Sequence, residues 1–187
     1  VGRADPELAV AGAQAALLRR WLTACGPATE ADLKWWTGWR VTEVRGALAA
    51  IGARQVRLEE GTGYVVEDDA EPVAGPAEPW AALLPALDPT AMGWQNRDWF
   101  LSPGLRPALF DRSGNIGPTV WWDGRVVGAW AQRADGEVVW RVLEKTGVGR
   151  EARDAVESEA ERLRQWVGDT RITPRFRTPL ERELATG

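Results

Sequence analysis

The chain has 187 residues, 44% of them apolar, enough for one large or two small domains with a real core. It holds no histidine and one cysteine, Cys25, which removes His-based general bases, Ser-His and Cys-His nucleophile pairs, an internal disulfide and nearly every zinc arrangement. The formal charge of −4 is unevenly placed: residues 1–66 carry eight bases against seven acids, residues 67–79 five acids and no base, and residues 80–187 fifteen of each.

Asp5-Pro6 is a helix start, an N-cap followed by proline at the first helical position. Leu8, Ala11, Ala15, Leu18 and Leu22 then fall at helical spacing up to Gly26-Pro27. Thr29 with Asp32 three residues on predicts a capped second helix, turning Leu33 and Trp36 inward and ending at Gly38. A third helix is expected from Thr42, with Val44, Leu48 and Ile51 on its apolar face and Gly52 closing it. Gln55–Glu59, a Gly61-Thr62-Gly63 turn and Tyr64–Val66 predict a hairpin with a glycine-rich tip.

Three helices followed by a two-stranded hairpin is the order of a winged helix, so residues 1–66 are expected to form one. The third would be the recognition helix, presenting Arg40, Thr42, Glu43 and Arg45. The two arginines suit phosphates or guanine edges, whereas Glu43 repels phosphate unless it accepts from a cytosine amino group. The same module also serves as a protein-contact surface, and Trp35, Trp36 and Trp39 suit either core packing or base stacking.

Residues 67–79 (EDDAEPVAGPAEP) lack an apolar period and read as an acidic linker. Residues 80–187 are expected to form a β-rich domain with a C-terminal helix and a basic tail. Ala82–Leu87 predicts a buried strand that ends at Asp88-Pro89. Asp123-Gly124 and Asp135-Gly136 mark two tight turns, hence a three-stranded meander over residues 119–143. With two-residue loops at both turns, Val120, Trp122, Val127, Ala129, Ala131, Val138, Trp140 and Val142 share the core face. Trp121, Val126, Trp130, Gln132, Val139 and Arg141 share the other, which is covered by a helix or lies at an interface. Gly149–Val167 reads as an amphipathic helix with Ala152, Val156, Ala160, Leu163 and Val167 inward. Arg171, Arg175 and Arg177 lie in a tail that suits a phosphate backbone or pairing with that acidic helix, and Thr178-Pro179 starts a last short helix.

Several stretches resemble one family in the order in which they occur. They are Gly26–Gly38 (GPATEADLKWWTG), Leu83–Pro89 (LLPALDP), Asn96–Asp98 (NRD), Gly117–Val120 (GPTV), Asp123–Trp130 (DGRVVGAW) and Thr173–Phe176 (TPRF). Together they are similar to the C-terminal part of the bacterial winged-helix DNA-binding proteins that include the AlkZ-type glycosylases, which excise alkylated bases. The resemblance implies an α+β architecture, a winged helix followed by a mainly antiparallel, barrel-like β domain whose hairpins approach DNA. It also implies double-stranded DNA and N-terminal winged-helix domains of the same parent chain as partners. The family's glycosylases carry a Gln-x-Gln or Gln-x-Asp catalytic motif, and none of the five glutamines here has Gln or Asp two positions on. No catalytic residue therefore transfers. The DNA-facing role carries over at Arg97 and Arg125, which lie inside matching stretches; Arg175 of the tail and Arg40, Thr42 and Arg45 of the third helix complete the expected nucleic-acid contacts. No cofactor and no metal are expected. Nothing near Val1 reads as a secretory signal, and there is no apolar run of about 18 residues. The expectation is a cytoplasmic DNA-binding module from a DNA-repair protein, with no membrane partner. The alternative is a protein-interaction fragment whose winged helix is closed to DNA.

Overall fold

The computed structural model describes residues 9–59, 61–71, 74, 75, 78–144 and 148–186. The predicted helix start at Asp5-Pro6 lies outside them. The chain divides into two compact units, Val1–Ala74 with Gly93–Gln95, and Gly75–Met92 with Asn96–Gly187. Among the described residues there are seven helices and two antiparallel sheets, an α+β arrangement.

In the first unit, α1 (Val10–Cys25) buries Leu18, Trp21 and Leu22 and leaves Ala11 exposed, so its apolar stripe begins later than predicted. α2 (Glu30–Thr37) starts at the predicted box: Thr29 Oγ1 accepts from the Asp32 N–H at 3.2 Å, and the Asp32 carboxylate accepts from the Thr29 N–H at 3.1 Å. Asp32 is buried, and its other oxygen accepts from the Gln95 N–H at 2.9 Å. Gly38 ends α2 in the left-handed region (φ 70°), as a C-cap requires. Leu33 points inward as expected, but Trp36 is 42% exposed. Its ring lies against Trp21 at 5.8 Å, and Trp94 occupies the next position on Trp21, also at 5.8 Å. Sequence periodicity could not foresee Trp94, which is remote in the chain. α3 (Val41–Ala50) packs on α1 through Val44, Ala47 and Leu48.

β1 (Arg54–Leu58) and β2 (Gly61–Val65) form the expected hairpin, but Leu58 pairs with Gly61. The glycine-rich stretch is therefore strand and not the turn; Glu59 follows β1, and Glu60 lies outside the described residues. Gly63 faces the Leu58 side chain, whose Cδ1 would stand 2.5 Å from an added Cβ.

The second unit is built on an open four-stranded sheet in the order β3-β4-β5-β6, from β3 (Ala81–Leu84), β4 (Thr119–Trp122), β5 (Arg125–Gln132) and β6 (Val138–Val142). Neither sheet closes into a barrel, which corrects the barrel-like expectation. The first strand ends at Leu84, earlier than predicted, where Pro85 has no N–H to give a ladder, and Leu87 beyond it takes a positive φ of 59°. Two single-turn helices, α4 (Pro89–Met92) and α5 (Arg106–Leu109), interrupt the connection to β4.

The face assignment of the meander changes in one strand only. The register moves from Trp121↔Val126 to Val120↔Gly128, leaving Val127 as a bulge. The second turn spans three residues instead of two, because Gln132 pairs with Val138 and the Arg133 N–H bonds the Glu137 carbonyl. Each departure shifts the alternation by one, so they cancel at β6 and leave only β5 from Gly128 onward inverted. Val120, Trp122, Val138 and Trp140 keep the predicted face. Val127 also keeps it, and Trp130 joins them in a core covered by Val156 of α6 (Arg150–Val167). Ala129 and Ala131 pass to the opposite face with Trp121. That face is covered by α7 (Pro179–Thr186) through buried Leu180 and Leu184, and Arg141 pairs with Glu183 of α7 at 2.7 Å. Beneath Trp121 lies Phe100, fully buried and stacked at 5.4 Å.

Candidate nucleic-acid interface

On the first unit, Arg40, Thr42 and Arg45 come together at the start of α3, all exposed. Carboxylates accompany them. The Glu43 carboxylate accepts from the Arg40 N–H at 2.7 Å and from Gln14 Nε2 at 3.3 Å, and these bonds, the backbone one first, hold the Glu43 carboxyl below its ordinary range. The Arg45 guanidinium donates through Nε to both Glu30 oxygens at 3.0 Å and through Nη2 at 2.9 Å. That bonding lowers the Glu30 pKa and raises that of Arg45, so both stay charged and satisfy each other. A phosphate approaching Arg45 must displace Glu30. Glu59 stands at the tip of the hairpin, where an acid opposes a polyanion.

On the second unit, the β4–β5 turn places Asp123 (φ 46°) and Gly124 (φ 78°) in the left-handed region, the type I′ geometry that suits a two-residue hairpin. Arg125 follows at once and is exposed, its Nη1 donating to the Trp99 carbonyl at 3.0 Å. The Val126 N–H bonds the Phe100 carbonyl and the Asp123 N–H the Trp80 carbonyl, each at 2.8 Å. The segments around residues 80 and 99 are thereby fastened to either side of the turn. Arg97 belongs to the same end of the sheet, half-buried with its guanidinium 5.4 Å from the Phe110 ring centre. The Arg97 carbonyl accepts from the Phe100 N–H, so its backbone belongs to the segment fastened beside the turn, but Nε and Nη2 of its guanidinium are buried, whereas Arg125 is exposed. Trp80 and Trp99 are 39% and 47% exposed beside them. Neither lies in a periodic segment, so face counting gave no signal for them.

Arg175 is held elsewhere. Gln132, at the other end of the eight-residue β5 and so about 23 Å from Arg125, takes the tail in both directions. Its Nε2 donates to the Thr170 carbonyl at 3.1 Å and its Oε1 accepts from the Ile172 N–H at 2.8 Å. Arg171 donates to the carbonyls of Ala134 and Asp135 at 3.2 and 3.0 Å, closing on the β5–β6 loop. Arg177 lies 3.8 Å from Glu181, in the helix after the tail, not the one before it. Arg175 stays exposed, its guanidinium 5.3 Å from the Phe176 ring centre. Of the three tail arginines, Arg175 is the one whose charge is turned outward.

Among the described residues no group of three His, Cys, Asp or Glu side chains is placed to hold a metal, and no helix is long and apolar enough to cross a membrane. A family model described as AlkZ-like, DNA glycosylase AlkZ-like, matches residues 2–166. Among solved structures the chain is similar to the Streptomyces sahachiroi DNA glycosylase AlkZ, at 26% identity and a TM-score of 0.73 over 86% of this chain. The chain spans 45% of the length of that protein. No curated protein matches.

Proposed function

The chain belongs to the AlkZ-like DNA glycosylase family, and from that premise we propose that it is a duplex-DNA-contacting module of a DNA-repair protein. In this reading α1–α3 with the β1–β2 hairpin are a winged helix, and the chain is the C-terminal portion of a parent whose N-terminal winged-helix domains are its intramolecular partners. The observation that supports the placement of the contact is Arg125, exposed beside a type I′ turn. A hairpin end enters a groove that a flat sheet face cannot. Arg175 adds a second phosphate contact. Arg40, Thr42 and Arg45 contribute less, since Glu30, Glu43 and Glu59 offset their charge. Those carboxylates favour protein contact as the role of the first unit. Base excision by these residues alone is not part of the proposal, because no glutamine here has Gln or Asp two positions on.

The test is a fluorescence-anisotropy titration of a labelled duplex across a salt series. Log affinity should fall linearly with log salt, by about 0.9 for each phosphate neutralised. Absence of binding at low salt refutes the reading. Release of an alkylated purine above the buffer rate would refute the non-catalytic assignment.

A further inference from the structure

Two indoles flank the β4–β5 turn. Trp80 and Trp99 are 39% and 47% exposed, and their carbonyls are tied to Asp123 and Arg125 on either side of it. Trp99 sets its ring edge-on against Phe100 at 4.6 Å and 79°, and Phe100 is fully buried. A large apolar ring held in place at a surface loses little freedom when it takes a partner. On intact B-DNA an indole meets only phosphates, sugars and base edges, because every base face is stacked inside the duplex. An unpaired or extruded base offers a face, and base–indole stacking accepts any sequence. The charge at this end fits a nucleic-acid strand better than an apolar protein surface. Arg125 is exposed, Asp98 is already paired with Arg106 at 2.6 Å, and Asp123 is the opposing charge.

We propose that Trp80 and Trp99 form a base-stacking site, through which the hairpin end engages unpaired nucleotides in preference to intact duplex. This rests on the DNA-contacting reading above and adds the class of DNA recognised. Arg125 holds the backbone phosphate of the strand whose base is stacked, so affinity for any DNA depends on Arg125 and preference depends on the indoles.

The experiment measures the anisotropy of two labelled duplexes, one fully paired and one with a central unpaired loop, at the same salt. The proteins are the full chain and its Trp80→Ala, Trp99→Ala and Trp99→Phe variants, each checked for fold by circular dichroism. The intact chain should bind the looped duplex about fivefold tighter or more, the lower end of one stacked base. Each alanine variant should lose much of that preference while keeping its affinity for paired duplex, and Trp99→Phe should retain most of it. Should Trp99→Ala fail to fold, Trp80→Ala carries the test. Equal affinity of the intact chain for both duplexes overturns the stacking site but leaves the DNA-contacting reading standing. A preference that survives both alanine substitutions overturns it as well. Failure to bind either duplex overturns both.

Discussion

Gln132 is the side chain that fixes where the basic tail leaves the fold, and its removal has a calculable consequence. It is 5% exposed and spends both ends of its amide on the backbone of one segment, at 3.1 Å to the Thr170 carbonyl and 2.8 Å from the Ile172 N–H. Gln132→Ala deletes two hydrogen bonds worth about 1 kcal/mol each. Thr170 and Ile172 are exposed, so water can satisfy the orphaned groups and the larger penalty for buried unpaired groups does not apply. The expected loss is therefore about 1–2 kcal/mol, or roughly 2–8 °C in melting temperature for a chain of this size. Gln132→Glu is the informative companion. It keeps the acceptor for the Ile172 N–H, replaces the donor to Thr170 with a repelling oxygen, and should be at least as destabilising. Urea denaturation of the three proteins measures the difference, and amide hydrogen exchange at Ile172 localises it. Full stability of Gln132→Ala with unchanged protection at Ile172 would refute the claim that this amide anchors the tail.

Three further outcomes follow from the geometry. Gly128→Ala should abolish cooperative folding or cost several kcal/mol, since its Cβ would stand 2.0 Å from the Arg141 carbonyl oxygen on the paired strand and backbone cannot move aside as a side chain can; chemical denaturation reads this directly. Glu30 and Glu43 have carboxyl pKa values lowered in the folded chain, so they contribute stability above the unfolded carboxylate range and lose it as pH falls through their lowered values. Melting temperature should thus drop on acidification below about pH 4, and Glu30→Gln should flatten part of that dependence. The acidic composition of residues 67–79 predicts first cleavage there in limited proteolysis, and uniform resistance across that stretch would count against a linker.

The longer helices and the existence of the hairpins are legible in the sequence because each carries its own local signal, whereas the single-turn α4 and α5 carry none. The Thr29–Asp32 box, the Gly38 cap and Asp123-Gly124 are chemistry within a few residues. The face of β5 is not legible, since it depends on a bulge at Val127 and a three-residue turn, and neither leaves a mark that a two-residue alternation detects. Trp36 was placed inward on periodicity alone, while Trp94, which meets Trp21 from a remote part of the chain, could not enter that count. For the candidate site, Arg125 was readable from its place after a turn. What qualifies the other arginines is their partners: Glu30 on Arg45, Phe110 under Arg97, and carbonyls around Arg171. Charge in a sequence does not say where the counter-charge sits in space.

The central claim is that duplex DNA meets the second unit through Arg125 and Arg175 and not the first unit through α3. The measurement that tests it most directly compares the salt dependence of duplex affinity in Arg125→Ala/Arg175→Ala with that in Arg40→Ala/Arg45→Ala, leaving Arg97 intact because it packs on Phe110. The first pair should lower the slope of log affinity against log salt by about 1.8, at 0.9 per lost phosphate contact, and the second should change it little. An unchanged slope in the first variant, or a larger loss in the second, would contradict the account and move the interface to the helix.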